Sequence, residues 1–140
     1  QERFLTVLIG EAARRSGVSV ETIRYYERTG VVPAPERSAS GRRVYREQDV
    51  SRLRFIRRCR DLGFALNDSK WLAGLSGDGQ VCEQVQQLGQ NHLEMIQAKR
   101  AELDRLEAAL LKLMKACGSG QSHCLLLEEL DSRPDTDWPL

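Results

Sequence analysis

Four cysteines and a one-sided supply of arginine are the residues of this 140-residue chain whose types can do chemistry. Cys82, Cys117 and Cys124 fall in the C-terminal half, and Cys59 stands apart from them. Thiolates are soft ligands that select copper(I), zinc, cadmium, mercury and lead over hard cations. Cys117 and Cys124 enclose six residues, Gly118 to His123, a loop long enough to fold both sulfurs onto one ion. Two thiolates suit linear copper(I). A third adds charge to balance a divalent ion and permits three- or four-coordination. His123 is a further candidate ligand for zinc or cadmium, weighed against an ordinary solvated loop residue. Cys59 sits beside Phe55, Ile56 and Leu62, where a free cysteine behaves as a small buried hydrophobe, and it is not counted as a ligand.

The arginines point to a different partner. The net charge of +1 hides fourteen Arg and no Lys against eight acids in residues 1–63, with seven basic and twelve acidic residues after them. A basic half in a near-neutral whole is the footprint of local nucleic-acid contact. No Ser-His-Asp or paired-carboxylate constellation is present, so the chain is not expected to be an enzyme. Four cysteines could make two disulfides, but the chain shows no secretory leader and its spacing is unlike a small stapled scaffold. Reduced thiols in a cytoplasmic protein are the expectation. No apolar run approaches the roughly 20 residues that span a bilayer, so no membrane is expected. The absent initiator Met suggests a trimmed start, and Gln1 to Thr6 are set aside.

Elements that would position these groups can be read from periodicity. Leu8 to Ser16 reads as a short helix ending at Gly17, and Ser19 caps a second, Val20 to Arg28, that stops at Gly30. Two short helices with a tight glycine-containing turn make a helix-turn-helix, with Arg24 and Arg28 on one face and Tyr25 and Tyr26 beside them. Pro33 and Pro35 block helix, and Ser40-Gly41 suits a tight turn between short extended arms loaded with Arg37, Arg42 and Arg43, which reads as a wing. A third helix runs from Arg46 to Gly63 with Val50, Leu53 and Ile56 inward and Arg52, Arg54, Arg57, Arg58 and Arg60 around them. Phe64 to Leu75 reads as a fourth, followed by a Ser76-Gly77-Asp78-Gly79 linker.

Cys82 to Cys117 contains no proline and reads as one long helix. Ile96, Leu103 and Leu110 repeat every seven residues, as do Leu106 and Leu113, which is a coiled-coil seam. His92 and Lys99 occupy the other seam position as register-fixing polar residues. At 1.5 Å per residue the two thiols stand about 52 Å apart on a straight helix, too far to share an ion. An antiparallel partner helix brings Cys82 of one chain beside Cys117 and Cys124 of the other, so a shared site would be made by a homodimer. The expected fold is mainly α. It has a winged helix-turn-helix DNA-binding domain over 7–78, a long antiparallel dimerisation helix over 79–116, a metal-binding loop and short helix over 117–130, and a disordered tail over 131–140.

Ser19-Val20-Glu21-Thr22-Ile23-Arg24-Tyr25-Tyr26-Glu27, with Gly41-Arg42-Arg43-Val44-Tyr45, Leu53 to Arg58 and Gly63-Phe64, resembles the MerR family of bacterial transcription regulators. The resemblance extends from Ile9 to Leu130. It implies a dimer that binds double-stranded promoter DNA across an overlong spacer and distorts it so that RNA polymerase can start. It puts Thr22, Arg24 and Tyr25 of the recognition helix and Arg43 and Tyr45 of the wing on the DNA. Arginine and tyrosine at this spacing also suit phosphate contacts, with Arg24 able to reach a base edge. Tyr26 reads as core and Arg28 as a solvated residue. Arg42 stands where the family usually has an aromatic, and Ser69 where an aliphatic is usual.

A Cys at the start of the dimer helix resembles the sensors of divalent ions, the monovalent-ion sensors looking to have Ser there, and the short loop most resembles the cadmium and lead sensors. The implied function is a metal-responsive activator whose effector is a soft divalent ion, Cd, Pb, Zn or Hg. Two alternatives stay open: a thiol-based redox or electrophile sensor on the same scaffold, and a copper(I)-type sensor.

Overall fold

The computed structural model describes residues 5–75, 81–115 and 124–137. Strand β1 (Val7–Leu8) leads directly into helix α1 (Ile9–Ser16). Gly17 ends that helix in the left-handed conformation, φ 75°, its N–H donating to the Ala13 carbonyl at 2.9 Å. A side chain there would be strained and would also displace the Arg57 guanidinium, which lies 2.3 Å from the position a Cβ would take. Ser19 then caps α2 (Val20–Arg28), its hydroxyl accepting from the Thr22 amide at 3.2 Å.

The arginine-rich stretch forms a hairpin of β2 (Glu36–Arg37) and β3 (Arg43–Tyr45). Its turn is closed by Ser38 N–H to the Arg42 carbonyl at 2.8 Å and Gly41 N–H to the Ser38 carbonyl at 2.9 Å, with Gly41 at φ 82°. Strand β1 adds to the other side of β3, giving an antiparallel sheet in the order β1-β3-β2, with Val7 opposite Tyr45 and Glu36 opposite Val44. Helix α3 (Glu47–Asp61) follows, its start fixed by the Arg46 N–H donating to the Asp49 carboxylate at 2.9 Å, and α4 (Leu66–Ala73) comes after it.

The core is Ala12, Val18, Ile23, Tyr26, Val32, Tyr45, Val50, Leu53 and Ile56, drawn from α1, α2, β3, α3 and the loops between them, with Val7 of β1 and Leu66 and Ala73 of α4 partly buried against it. Val50, Leu53 and Ile56 lie on the inward face expected from their spacing. Burying such side chains contributes about 1.5–3 kcal/mol each, enough to hold short helices that would not persist alone. Several arginines work inside the fold. Arg54 Nη2 donates to the Arg15 carbonyl at 3.2 Å, tying α3 to the end of α1, and Arg60 Nη1 donates to the Phe64 carbonyl at 2.7 Å. Ser69 is fully buried, and its hydroxyl donates to the Ala65 carbonyl at 2.9 Å, so the expected misfit is satisfied within its own helix.

Helix α5 (Cys82–Lys115) runs 34 residues without a break, and α6 (Leu125–Ser132) follows. By contacts the chain divides into two units, Gln1–Val85 and Gln86–Leu140. Ile96, Leu103, Leu106 and Leu110 are exposed along α5, whereas Ala109 and Leu113, four apart, are buried by the chain itself. Leu113 is therefore covered without a partner helix, unlike the rest of the expected seam. Helix α6 passes Leu130 and a 3₁₀ turn follows at Asp135–Asp137, so 131–137 departs from the expected disordered tail. Local bonds explain it: Ser132 Oγ donates to the Glu128 carbonyl at 2.6 Å and Arg133 Nε to Glu129 Oε2 at 2.7 Å. The Ser76 to Gly79 linker, Cys117 and His123 lie outside the described residues.

Candidate nucleic-acid interface and thiol set

Helix α2 presents its polar face through three of the expected contact residues. Thr22 is half-buried and its Oγ1 accepts from the Ser19 hydroxyl at 2.8 Å, leaving the Thr22 hydroxyl proton available to an outside acceptor. Arg24 and Tyr25 are exposed. Arg28 is not merely solvated: its guanidinium carbon lies 5.6 Å from the Tyr25 ring centroid, a cation–π contact that fixes the ring's orientation. Tyr26, as expected, faces the core.

The wing meets this face. A cleft of about 680 Å³ is bounded by Leu8 to Glu11, Arg24 of α2, and Arg37, Arg42 and Arg43 of the hairpin. A second, of about 400 Å³, is lined by Arg24, Arg28, Arg37 and Arg43, with Glu27, Ala34 and Pro35. Arg24, Arg37 and Arg43 border both, so guanidinium groups distant in sequence converge on one groove. A guanidinium carries N–H donors and no acceptor, a set suited to a run of phosphates, and Arg37 spends one of its own on the Gly41 carbonyl at 2.7 Å.

Tyr45 requires a correction. Its side chain is 3% exposed, and its hydroxyl donates to Glu27. Burial first, and then the Glu27 carboxylate, push its pKa well above the ordinary tyrosine value. A ring packed in the core with its hydroxyl already engaged does not present itself to a phosphate, so Tyr45 is left out of the proposed contact set. Its partner Glu27 was quoted in the sequence motif without a role. The signal was there: Glu27 follows the core residue Ile23 by four positions, and a carboxylate on an inward helix face must be paired. Its side chain is 5% exposed and its Oε2 lies 3.2 Å from Arg43 Nε.

Cys82 is exposed at the first position of α5, and Cys124 is exposed at the N-cap of α6, its carbonyl accepting from Glu128 N–H at 3.2 Å. Among the described residues no three His, Cys, Asp or Glu side chains come together to hold an ion. Exposed sulfurs fit a soft metal chemically, and the described residues of one chain supply two of them, Cys82 and Cys124. Cys117 and His123 lie outside the described residues. Cys59 is buried, and burial raises its thiol pKa, which keeps it neutral and inert. Among the described residues no helix is long and apolar enough to cross a membrane.

A family model described as MerR HTH family regulatory protein matches residues 8–73, and one described as MerR, DNA binding, matches residues 50–113. The mercuric resistance operon regulatory protein of Bacillus cereus is 41% identical over 125 residues, covering 87% of this chain and 95% of that protein. The structure of the transcription regulator PbrR691 from Ralstonia metallidurans CH34 in complex with lead(II) is similar with a TM-score of 0.71 at 33% identity, covering 89% of this chain and 98% of that one. That of the dual function transcriptional regulator MerR from Bacillus megaterium MB1 in complex with mercury(II) gives 0.69 at 35% identity, covering 90% and 100%.

Proposed function

Because the chain belongs to the MerR family of helix-turn-helix transcription regulators, we propose that it binds a two-fold promoter site as a homodimer through Thr22, Arg24, Tyr25 and Arg43, and that a soft divalent ion switches it. The ion is held by Cys82 of one chain and by Cys117 and Cys124 of the partner subunit, with His123 of that subunit a possible fourth ligand. The observation that carries this reading is the unbroken 34-residue α5 with Cys82 as its first residue. Its length is about 51 Å, so the thiols at its two ends converge only across an antiparallel pair. The exposed Ile96, Leu103, Leu106 and Leu110 supply the apolar stripe such a pair buries. The relatives' complexes with mercury(II) and lead(II) support an ion of the soft divalent class.

The protein's own part in the switch is mechanical. Three thiolates converging from two chains tie the 116–123 segment of one subunit to the start of α5 in the other. That start lies just beyond α4, so the tie reaches the DNA-binding part. Rotating the two wings and recognition helices relative to each other bends or untwists the spacer between them. Such deformation of a 20–30 bp site costs about 1–6 kcal/mol, within reach of ligand coordination. The distorted promoter is the form on which RNA polymerase starts, and the setting is the cytoplasm. The chain carries out regulation and no catalysis.

Two measurements test the reading. Mass spectrometry under non-denaturing conditions, with and without a chelator, should give a dimer carrying two ions. A monomer, or a dimer that takes up none, contradicts it. Uptake should release protons and weaken at low pH, because thiolate ligands must be deprotonated. On the DNA side, affinity should fall steeply with salt, with a slope of about −0.9 per phosphate neutralised. Arg24→Ala should weaken binding and reduce that slope by about one if it contacts a phosphate, or relax one base position if it reads a base edge. An unchanged affinity and specificity would remove α2 from the interface.

A further inference from the structure

Glu27 is the one acid in the second arginine-lined cleft, and its position there runs against the Coulomb energy of DNA binding. It shares that cleft with Arg24, Arg28, Arg37 and Arg43, all of which a phosphate backbone would attract. A negative charge among them opposes the same backbone. A buried carboxylate is also costly unless paired and hydrogen-bonded. Geometry offsets the second cost in part: one carboxylate oxygen is hydrogen-bonded, and the other faces a guanidinium at ion-pair distance without a hydrogen bond. Glu27 belongs to α2, whereas Tyr45, which donates its hydroxyl to Glu27, lies eighteen residues on in β3, and Arg43 of the same strand faces its other oxygen at 3.2 Å.

We propose that Glu27 is the positioning residue of the DNA interface, locking the wing onto the recognition helix so that Arg43 and Arg24 meet one run of phosphates. The proposal rests on the interface reading above. Strand β3 is the central strand of the sheet, so fixing it to α2 also fixes β2 and the turn that carry Arg37 and Arg42. Arg43 faces Glu27 through Nε, while its side chain keeps about a third of its surface exposed at the cleft. Tyr45 ends the wing strand β3 with its ring in the core, so the Tyr45–Glu27 bond anchors the lock to the hydrophobic cluster.

The test uses the full chain and two probes: a duplex selected from a random pool for tight binding to the wild-type protein, and a scrambled duplex of the same length. Binding is measured at one salt concentration for wild type, Glu27→Ala, Glu27→Gln and Arg24→Ala. Glu27→Ala should weaken binding to the selected duplex by about tenfold, the scale of losing a hydrogen bond to a charged group. Binding to the scrambled duplex should be unchanged or slightly tighter, because a repelling charge is gone. Glu27→Gln keeps a carbonyl acceptor for the Tyr45 hydroxyl but sets its amide N–H group against the Arg43 Nε–H, so its loss on the selected duplex should fall between those of wild type and Glu27→Ala. Ala and Gln variants that tighten equally on both duplexes would overturn the proposal, leaving Glu27 a repelling charge only. Where Glu27→Ala fails to fold, Tyr45→Phe keeps the ring in the core and removes the bond. A several-fold loss confined to the selected duplex supports the lock, and wild-type binding overturns it. Arg24→Ala separates the two readings. If it binds like wild type, the interface assignment itself fails. If it is weak while Glu27→Ala is native, only the positioning role fails.

Discussion

Cys59 and Cys82 carry the same thiol in opposite surroundings, and the difference decides which can meet an ion. Cys59 packs on the inward face of α3, where burial raises its pKa, and Cys82 stands exposed at the first position of α5. In the metal-free protein a thiol reagent should modify Cys82 quickly and leave Cys59 intact until unfolding, as peptide mapping would show. Fast labelling of Cys59 in the native protein would contradict its placement. Glu11 offers a matching test in pH. Hydrogen bonds from Arg14, then Arg15, lower its pKa from 4.5 to about 2. A depressed carboxylate pKa contributes stability that is present above 4.5 and is lost as pH falls toward 2. Thermal unfolding followed across that window should show a pH slope in wild type that is smaller in Glu11→Gln. Because these ion pairs lie at the surface, added salt should erase most of the difference. Single residues were only partly legible in the sequence. Cys59 was, because its helical neighbours are apolar. For Glu27 the spacing from Ile23 shows that a carboxylate on the inward face needs a partner, but not that the partners lie in a strand eighteen residues away.

At the scale of elements, what was legible followed local periodicity. Helices α1 to α5 appear where apolar spacing and the stops at Gly17 and Gly63 placed them. Strand β1 did not announce itself, since two residues become a strand only by pairing with β3, whose own position depends on the hairpin. Helix α6 and the turn after it run on through side-chain bonds that polarity alone does not reveal. Leu113 shows the limit of the heptad: its phase matches the seam, yet its own chain already covers it. Leu106 and Leu110 remain exposed, so the seam is best tested there. Leu110→Asp should leave the helical circular dichroism of the chain intact, because the site is exposed in one copy. In a dimer it buries an unpaired charge, about 3–5 kcal/mol, and should raise the dissociation constant by at least about a hundredfold in sedimentation equilibrium. An undisturbed dimer would place the seam on another face of α5.

Across the whole molecule, two kinds of chemistry are divided along one chain. The arginines that line the grooves belong to the first unit, and other arginines of that unit hold its helices together. Cys82 is the first residue of α5 and Cys124 the N-cap of α6, with the whole 34-residue helix between them in the chain. The proposed metal site needs two copies of the chain. A mixed dimer tests it most directly: one subunit carries Cys82→Ser, and the other carries both Cys117→Ser and Cys124→Ser. With an intersubunit site, one end of this dimer keeps all three thiols and the other keeps none. Titration with cadmium(II), read by native mass spectrometry, should give one ion per mixed dimer with near wild-type affinity, against two for wild type. A mixed dimer that binds no ion, while wild type binds two, would show that the thiols are not shared between subunits.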